Sequence, residues 1–281
     1  MASRLCRAAL AGVLARTRAP HAGVGALLLP PSLRSALPTG LTGSRQLTVG
    51  PHKPWFSDLI SSQEETPITV RVGEEDMQIN TEALRGVADG AALVAQGSNC
   101  MLGTVLVNPS SGAFPGARAN FRFEVEYRER ACAFGRIPTT ATRREGAPRD
   151  REVVVMNLME NVFRPLLAPG YSHDTTLEAL TLASDAQGDP VVLAVNAISS
   201  ALSLSNVPWA GPVGAVRLAL DNAGELQVNP PRSALATARA SLLYVGTSEG
   251  PVLLSGEGAE VAEEELIRLA EAGHAAVGRL A

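Results

Sequence analysis

The run Asn196-Ala197-Ile198-Ser199-Ser200-Ala201-Leu202-Ser203-Leu204-Ser205-Asn206-Val207-Pro208-Trp209-Ala210-Gly211-Pro212-Val213-Gly214-Ala215-Val216-Arg217 holds a helix, a sharp break and a strand. Asp189-Pro190 stands just ahead of it as an N-cap followed by a first-turn proline, so a small-residue helix is expected through Ala201 and Leu204. Pro208, Gly211 and Pro212 make the next segment a turn. Strand chemistry resumes over 213–220 and returns over 225–228 around Asp221-Asn222-Ala223-Gly224, giving a hairpin. Trp209 and the Leu residues before it need not all reach this domain's own core, so self-association or a second subunit is expected, the alternative being that Trp209 simply closes the core.

Outward from this stretch the pattern stays mixed. Residues 66–72 alternate around β-branched positions, Gly73-Glu74-Glu75-Asp76 is turn chemistry, and 77–80 returns. Segments 91–96 and 101–107 form another pair, joined by Gly97-Ser98-Asn99 and followed by a Pro/Gly/Ser loop over 108–120. Phe121, Phe123, Val125 and Tyr127 alternate with Arg122, Glu124 and Glu126, which is a half-buried strand. Asp150 reads as an N-cap, and Val154, Val155, Leu158, Met159, Val162 and Phe163 recur at helical spacing until Pro165. A strand over 175–183, the helix after Asp189, two hairpins (the second over 241–245 and 252–254) and an acid-started helix from about Val261 complete the order. Strands, helix, strand, helix, strands, helix is the sequence of an α/β sandwich with a mixed sheet and packed helices.

Charge divides the chain. Arg4, Arg7, Arg16, Arg18, Arg34 and Arg45 punctuate a stretch rich in Ala, Leu, Ser and Gly, and no Asp or Glu precedes Asp58. Arginine-rich and acid-poor is the composition of a mitochondrial or plastid transit segment, so residues 1–57 are expected to be a leader for the mitochondrion, with the plastid as alternative, and 58–281 the folded domain. Seven of the 24 basic residues lie before Asp58, which leaves 17 basic against 28 acidic, a net of −11. An acidic domain argues against charge-driven, sequence-blind nucleic-acid binding; any RNA contact must come from a local patch. Lys53 is the only lysine, which excludes a lysine Schiff base or a P-loop lysine in the domain. Cys100 and Cys132 have no ligand-spaced neighbours and read as buried small hydrophobes, not a zinc site. No apolar run approaches the ~20 residues of a membrane helix, and no membrane partner is expected.

The local patch exists. Arg118, Arg122, Arg128, Arg130, Arg136, Arg143, Arg144, Arg149 and Arg151 fall in one window whose acidic residues are Glu124, Glu126, Glu129, Glu145 and Asp150. Its 136–149 part is rich in Gly, Pro, Thr and Ala and reads as a loop. Exposed guanidinium groups on a loop suit phosphate backbones because the planar fork pairs with two oxygens; a solvated charged loop is the competing reading.

In these residues the sequence resembles the first ribonuclease PH-like domain of polynucleotide phosphorylases, mitochondrial type. Gly135-Arg136-Ile137-Pro138, Arg143-Arg144-Glu145-Gly146, Tyr127-Arg128-Glu129-Arg130, Val87-Ala88-Asp89-Gly90, Arg164-Pro165-Leu166 and Pro169-Gly170-Tyr171 carry the resemblance. The opening run, Val228-Asn229-Pro230 and Val245-Gly246-Thr247 continue it, in order, over roughly residues 65–280. The resemblance implies a ribonuclease PH-like two-layer sandwich, a ring of six such domains around an RNA channel, and 3′–5′ phosphorolysis carried out in a second domain with inorganic phosphate and Mg2+. It implies RNA contact at Arg136, Arg143 and Arg144, single-stranded RNA as partner, and a homo-oligomer or a second ribonuclease PH-like subunit.

Catalytic residues are not expected in this chain, nor a metal or cofactor of its own. Catalytic members open a helix with a Gly-Gly-Thr type turn, against Asn196-Ala197-Ile198 here, and place acidic residues ahead of a strand ending in Gly-Thr, where residues 229–241 hold no Asp or Glu. The expectation is therefore a non-catalytic component of RNA degradation that builds the ring and guides RNA. The alternatives are a scaffold subunit that has lost RNA handling, or one part of a full-length enzyme. Family loops carry aromatic residues just before the paired arginines, where this chain has Ala141-Thr142, and an arginine three residues before Arg164, where it has Asn161. Gly246-Thr247-Ser248-Glu249-Gly250 matches a nucleophile-elbow pattern but is followed by a return strand, not a helix. His173 and His274 read as packing or surface residues, and Glu263-Glu264-Glu265 as the acidic first turn of the last helix.

Overall fold

The computed structural model describes residues 67–73, 75–81, 86, 88–108 and 121–280. The expected leader (1–57), Val87 and the loop over 109–120 lie outside the described residues.

Among the described residues ten strands form two sheets. The first holds β1 (Ile68–Val72), β2 (Glu75–Asn80), β3 (Gly90–Gln96), β4 (Asn99–Asn108), β5 (Phe123–Arg128) and β6 (Asp174–Ala183) in the order β1-β2-β3-β4-β6-β5. It is mixed: β5 runs parallel to β6, with Val125 opposite Leu177, and the other pairs are antiparallel. A parallel neighbour needs a crossover, and helix α1 (Asp150–Phe163) lies on the chain between those two strands. The second sheet is antiparallel, β10-β9-β7-β8, built from β7 (Gly214–Leu220), β8 (Leu226–Val228), β9 (Ala240–Gly246) and β10 (Pro251–Gly258). The order of elements along the sequence announces the mixed sheet; the division of its strands into two sheets comes from tertiary pairing.

Helix α2 (Pro190–Leu204) joins the sheets. It packs on β3, β4 and β6 of the first and on β7 of the second. A helix covered on most of its surface must be apolar nearly all round, and eleven consecutive or near-consecutive residues from Val191 to Leu202 are buried. Close approach to the first sheet depends on two glycines. A Cβ at Gly103 would stand 2.5 Å from the Ala197 carbonyl, and one at Gly90 2.1 Å from that of Ala201. The Asp189 carboxylate accepts from the Val191 N–H at 3.0 Å, which satisfies a first-turn donor as the sequence predicts.

Two polar side chains inside α2 fasten it to the second sheet. The Asn196 amide donates to the Ala215 carbonyl at 3.0 Å and accepts from the Ala215 N–H at 2.9 Å. Ser199 accepts from the Val213 N–H at 2.9 Å. Asn196 is thus mid-helix, seven positions after the Asp189 cap, so the stretch set against the Gly-Gly-Thr type turn does not open this helix. Beyond the turn, Trp209 is half-buried against Phe163, ring centroids 6.3 Å apart, and bridges Leu167 through the backbone. Trp209 therefore closes this domain's own core, while Leu204 is exposed.

A second core lies beneath the last helix, α3 (Glu263–Val277), where Leu269, Ala276 and Val277 meet Val216, Leu218 and Tyr244. His274 takes a packing role, its Nδ1 3.0 Å from the Tyr244 hydroxyl. Thr247 and Gly250 close a hairpin turn between β9 and β10, so Ser248 sits on no elbow.

Candidate nucleic-acid interface

The 129–149 part of the arginine window forms a loop between β5 and α1, and carboxylates at its ends and within it hold it in place. After β5 the chain makes a short 3-10 turn, Ala131–Phe134, ended by Gly135 at φ 66. It then runs without regular structure to α1. Helix α1 begins at Asp150 with Arg149 in the cap position, which corrects the expected Asp150 cap by one residue. The cap function passes to Glu152, whose Oε2 accepts from the Arg149 N–H at 2.7 Å. Its other oxygen accepts from the Glu129 N–H at 2.8 Å. One buried carboxylate therefore ties together the chain entering the loop and the chain leaving it.

Glu145 repeats the device one step further out. One oxygen accepts from the Ala131 N–H at 2.5 Å, and the other lies 3.7 Å from the Arg130 guanidinium. Glu129 is buried too; it accepts from the Tyr127 hydroxyl at 2.7 Å and faces Arg151 at 3.8 Å. Burial, and then the Glu129 carboxylate, push the Tyr127 phenol far above its usual range, so it acts as a donor throughout.

The outer half of the loop presents cations. Thr140 to Arg143 is a tight turn, with the Arg143 N–H on the Thr140 carbonyl at 2.8 Å, and the Thr140 hydroxyl donates to the Arg144 carbonyl at 2.9 Å. Arg143 sits at φ 51. Gly or Asn would serve that backbone better, so the arginine is not there for the turn. Arg136, Arg143 and Arg144 are all exposed, and among the described residues no carboxylate pairs with any of them. Ile137 beside Arg136 is 72% exposed. The structure thus brings the three predicted arginines onto one loop. Sequence reasoning did not find the role of Glu152; its position three residues after Arg149, where a capping-box acid belongs, was the available signal.

Asn161 is exposed on α1. Cys132, expected to be buried, is exposed on the 3-10 turn because its neighbours Ala131 and Ala133 face inward; Cys100 is buried in β4 as expected.

The head of α2 and the stretch that opens at Asn229 are built from internal pairs. Arg217 on β7 donates from Nε to Asp189 at 2.6 Å. Asn229, at φ 52, accepts from the Arg217 N–H at 2.9 Å. Asp189 thereby places a carboxylate of the chain itself at the N-terminus of α2, the position where a helix otherwise attracts an anion from outside.

Comparison with known proteins agrees with this architecture. Residues 74–208 match the family described as 3′ exoribonuclease family, domain 1. Over 199 residues the chain is 38% identical to the polyribonucleotide nucleotidyltransferase of Aquifex aeolicus, covering 70% of this chain and 25% of that protein. Over 215 residues it is 35% identical to the enzyme of the same name from Acidobacterium capsulatum, covering 76% of this chain and 26% of the relative. The chain therefore spans about a quarter of the length of these relatives. The crystal structure of rice (Oryza sativa) Rrp46 superposes with a TM-score of 0.59 at 18% identity, over 78% of this chain and 95% of that one, which shows a shared fold.

Proposed function

Because residues 74–208 are a domain of the 3′ exoribonuclease family, domain 1, within a ribonuclease PH-like fold, we propose that the chain acts in RNA degradation and processing as a non-catalytic first domain of the polynucleotide phosphorylase kind. It guides single-stranded RNA and contributes to a ring, while phosphorolysis belongs to another domain or chain. The observation that carries this reading is the pinned loop, with Arg136, Arg143 and Arg144 exposed and unmatched by any carboxylate among the described residues. A non-catalytic role is supported by the lack of Asp or Glu over 229–241 and by the Asp189–Arg217 pair at the head of α2. The composition of residues 1–57 supports action in the mitochondrion.

Titrating oligoadenylate at several salt concentrations tests the RNA reading. Replacing Arg143 and Arg144 by Ala should weaken binding, and each lost phosphate contact should flatten the log–log salt slope by about 0.7. Unchanged affinity and slope would favour the second reading, a scaffold subunit without RNA handling, for which the acidic balance of the domain and the absent aromatic pair at Ala141-Thr142 speak.

A further inference from the structure

We propose that the cleft behind the arginine loop is a phosphate-binding site in its own right, separate from the outer arginines Arg136 and Arg143. The cleft has a volume of about 370 Å3 and is walled by Arg128, Arg130, Arg144 and Arg149. Three carboxylates also line it, Glu129, Glu145 and Glu152, and their commitments decide its character. Both oxygens of Glu152 are taken by backbone N–H groups. Glu129 is held by the Tyr127 hydroxyl and Arg151, and Glu145 by the Ala131 N–H and Arg130.

Four guanidinium groups against three carboxylates leave the lining with a net charge of +1, and the arginines are the members with donors to spare. Among the described residues Arg144 and Arg149 meet no carboxylate, and Arg128 reaches only the Gly146 carbonyl, at 3.4 Å. Guanidinium groups with free donors around one hollow can share a single anion through charge-assisted hydrogen bonds. Their planar forks fit the oxygens of a phosphate. The volume exceeds what a bare phosphate needs and lies near the lower end of the ~300–1,000 Å3 of small-molecule sites. The ligand class is therefore a phosphate ester of nucleotide size, either a free mononucleotide or one nucleotide of an RNA strand. The loop's pinned ends fix the backbone from which these arginines project.

The test is isothermal titration of the full chain with AMP and with inorganic phosphate at low salt. AMP should bind saturably. The double variant Arg128→Gln/Arg149→Gln should bind it about tenfold more weakly or worse, and Arg136→Gln should bind as the unaltered chain does. Thermal melts check that the double variant is folded; if it is not, Arg149→Gln alone, at an exposed cap position, gives the same comparison. Adding oligoadenylate identifies the source: displacement of AMP places an RNA nucleotide in the cleft, and its retention places a free nucleotide there. No saturable binding, unchanged binding in the double variant, or equal loss in Arg136→Gln overturns the proposal. AMP binding that survives alongside RNA binding indifferent to Arg143 and Arg144 would sink the guidance reading and leave this one intact.

Discussion

Residues 189–217 and residues 129–152 both bury polar side chains, and they use them in opposite ways. In the first region Asn196 and Ser199 point out of a helix and fasten the backbone of the neighbouring sheet. Their partners are peptide groups that would otherwise lie unpaired in a dry interior. In the second region Glu129, Glu145 and Glu152 point inward from a loop, and each is satisfied within the loop or at its root. There the result is that Arg136, Arg143 and Arg144 stand exposed with no ion-pair partner among the described residues. Buried polarity in one place holds two sheets together; in the other it holds a loop that leaves arginines exposed.

The sheet-joining role predicts the largest effect. Asn196→Leu keeps volume and removes both hydrogen bonds, leaving the Ala215 N–H and carbonyl unpaired. At ~1–3 kcal/mol for each of the two abandoned buried groups the domain should lose about 2–6 kcal/mol in denaturant unfolding. Ile198→Ala, a pure cavity in the same helix, should cost a similar ~2–5 kcal/mol and serves as the yardstick. A loss below about 1 kcal/mol for Asn196→Leu would mean that packing alone joins the sheets.

The pinning role predicts a smaller and more local effect. Glu152→Ala orphans the Glu129 and Arg149 N–H groups at the two ends of the loop. Global stability should fall by about 1–3 kcal/mol, since solvent reaches the outer group. The sharper readout is limited trypsin digestion, which should accelerate at Arg136, Arg143 and Arg144 under conditions where the rest of the chain stays intact. Unchanged cleavage would show that the loop is held by something other than this carboxylate.

The two regions also differ in how far their sequence can be read. Asp189-Pro190, the small-residue helix and the following turn announce themselves because local rules and burial agree at each position. The window over 118–151 shows its charge but not its geometry. Loop conformation there is set by contacts between residues up to 23 positions apart, Glu129 and Glu152, and no periodicity records such a contact. Helical spacing also misled in one place: Val154 fits the apolar pattern of α1 yet is 65% exposed, because the stripe that meets β5 runs through Val155, Met159 and Val162. Cys132 failed for the same reason, since two flanking alanines took the inward positions on a turn whose phase the sequence does not reveal.

Within the loop, Ala141 and Thr142 occupy the exposed middle of the Thr140–Arg143 turn. Placing Phe at both should leave the fold unchanged and add stacking against bases. Single-stranded oligoadenylate should bind more tightly, by a value near the lower end of ~1–3 kcal/mol per stacked base because the rings stand in solvent. A gain in affinity with an unaltered salt slope would mark stacking as the cause. No gain would mean that RNA does not pass the tip of this turn.

The smallest expected effect concerns a carboxylate that, unlike the three in the loop, has no hydrogen-bond donor among the described residues to settle it. Glu178 on β6 stands directly opposite Glu126 on β5, with no residue between them to separate the charges. Burial, and next the Glu126 carboxylate, raise its pKa above the usual value, against a partial opposing pull from Arg130 and Arg128. A carboxyl whose pKa is raised on folding binds its proton more tightly in the folded chain than in the unfolded one. Stability therefore falls as pH rises from the ordinary glutamate pKa through the raised one, and the penalty is fully present above it. Glu178→Gln should remove that penalty: a small gain in stability at pH 7, shrinking to nothing as pH drops below the unfolded carboxyl pKa. Because Glu178 is only half-buried, solvent screening keeps the gain well below the effects at Asn196 and Glu152. Melting curves of both proteins across pH 3 to 8 measure it, in a range set by the carboxylate pKa of about 4.3 and its upward shift. A difference that stayed constant over this range would show that the gain comes from packing and not from charge.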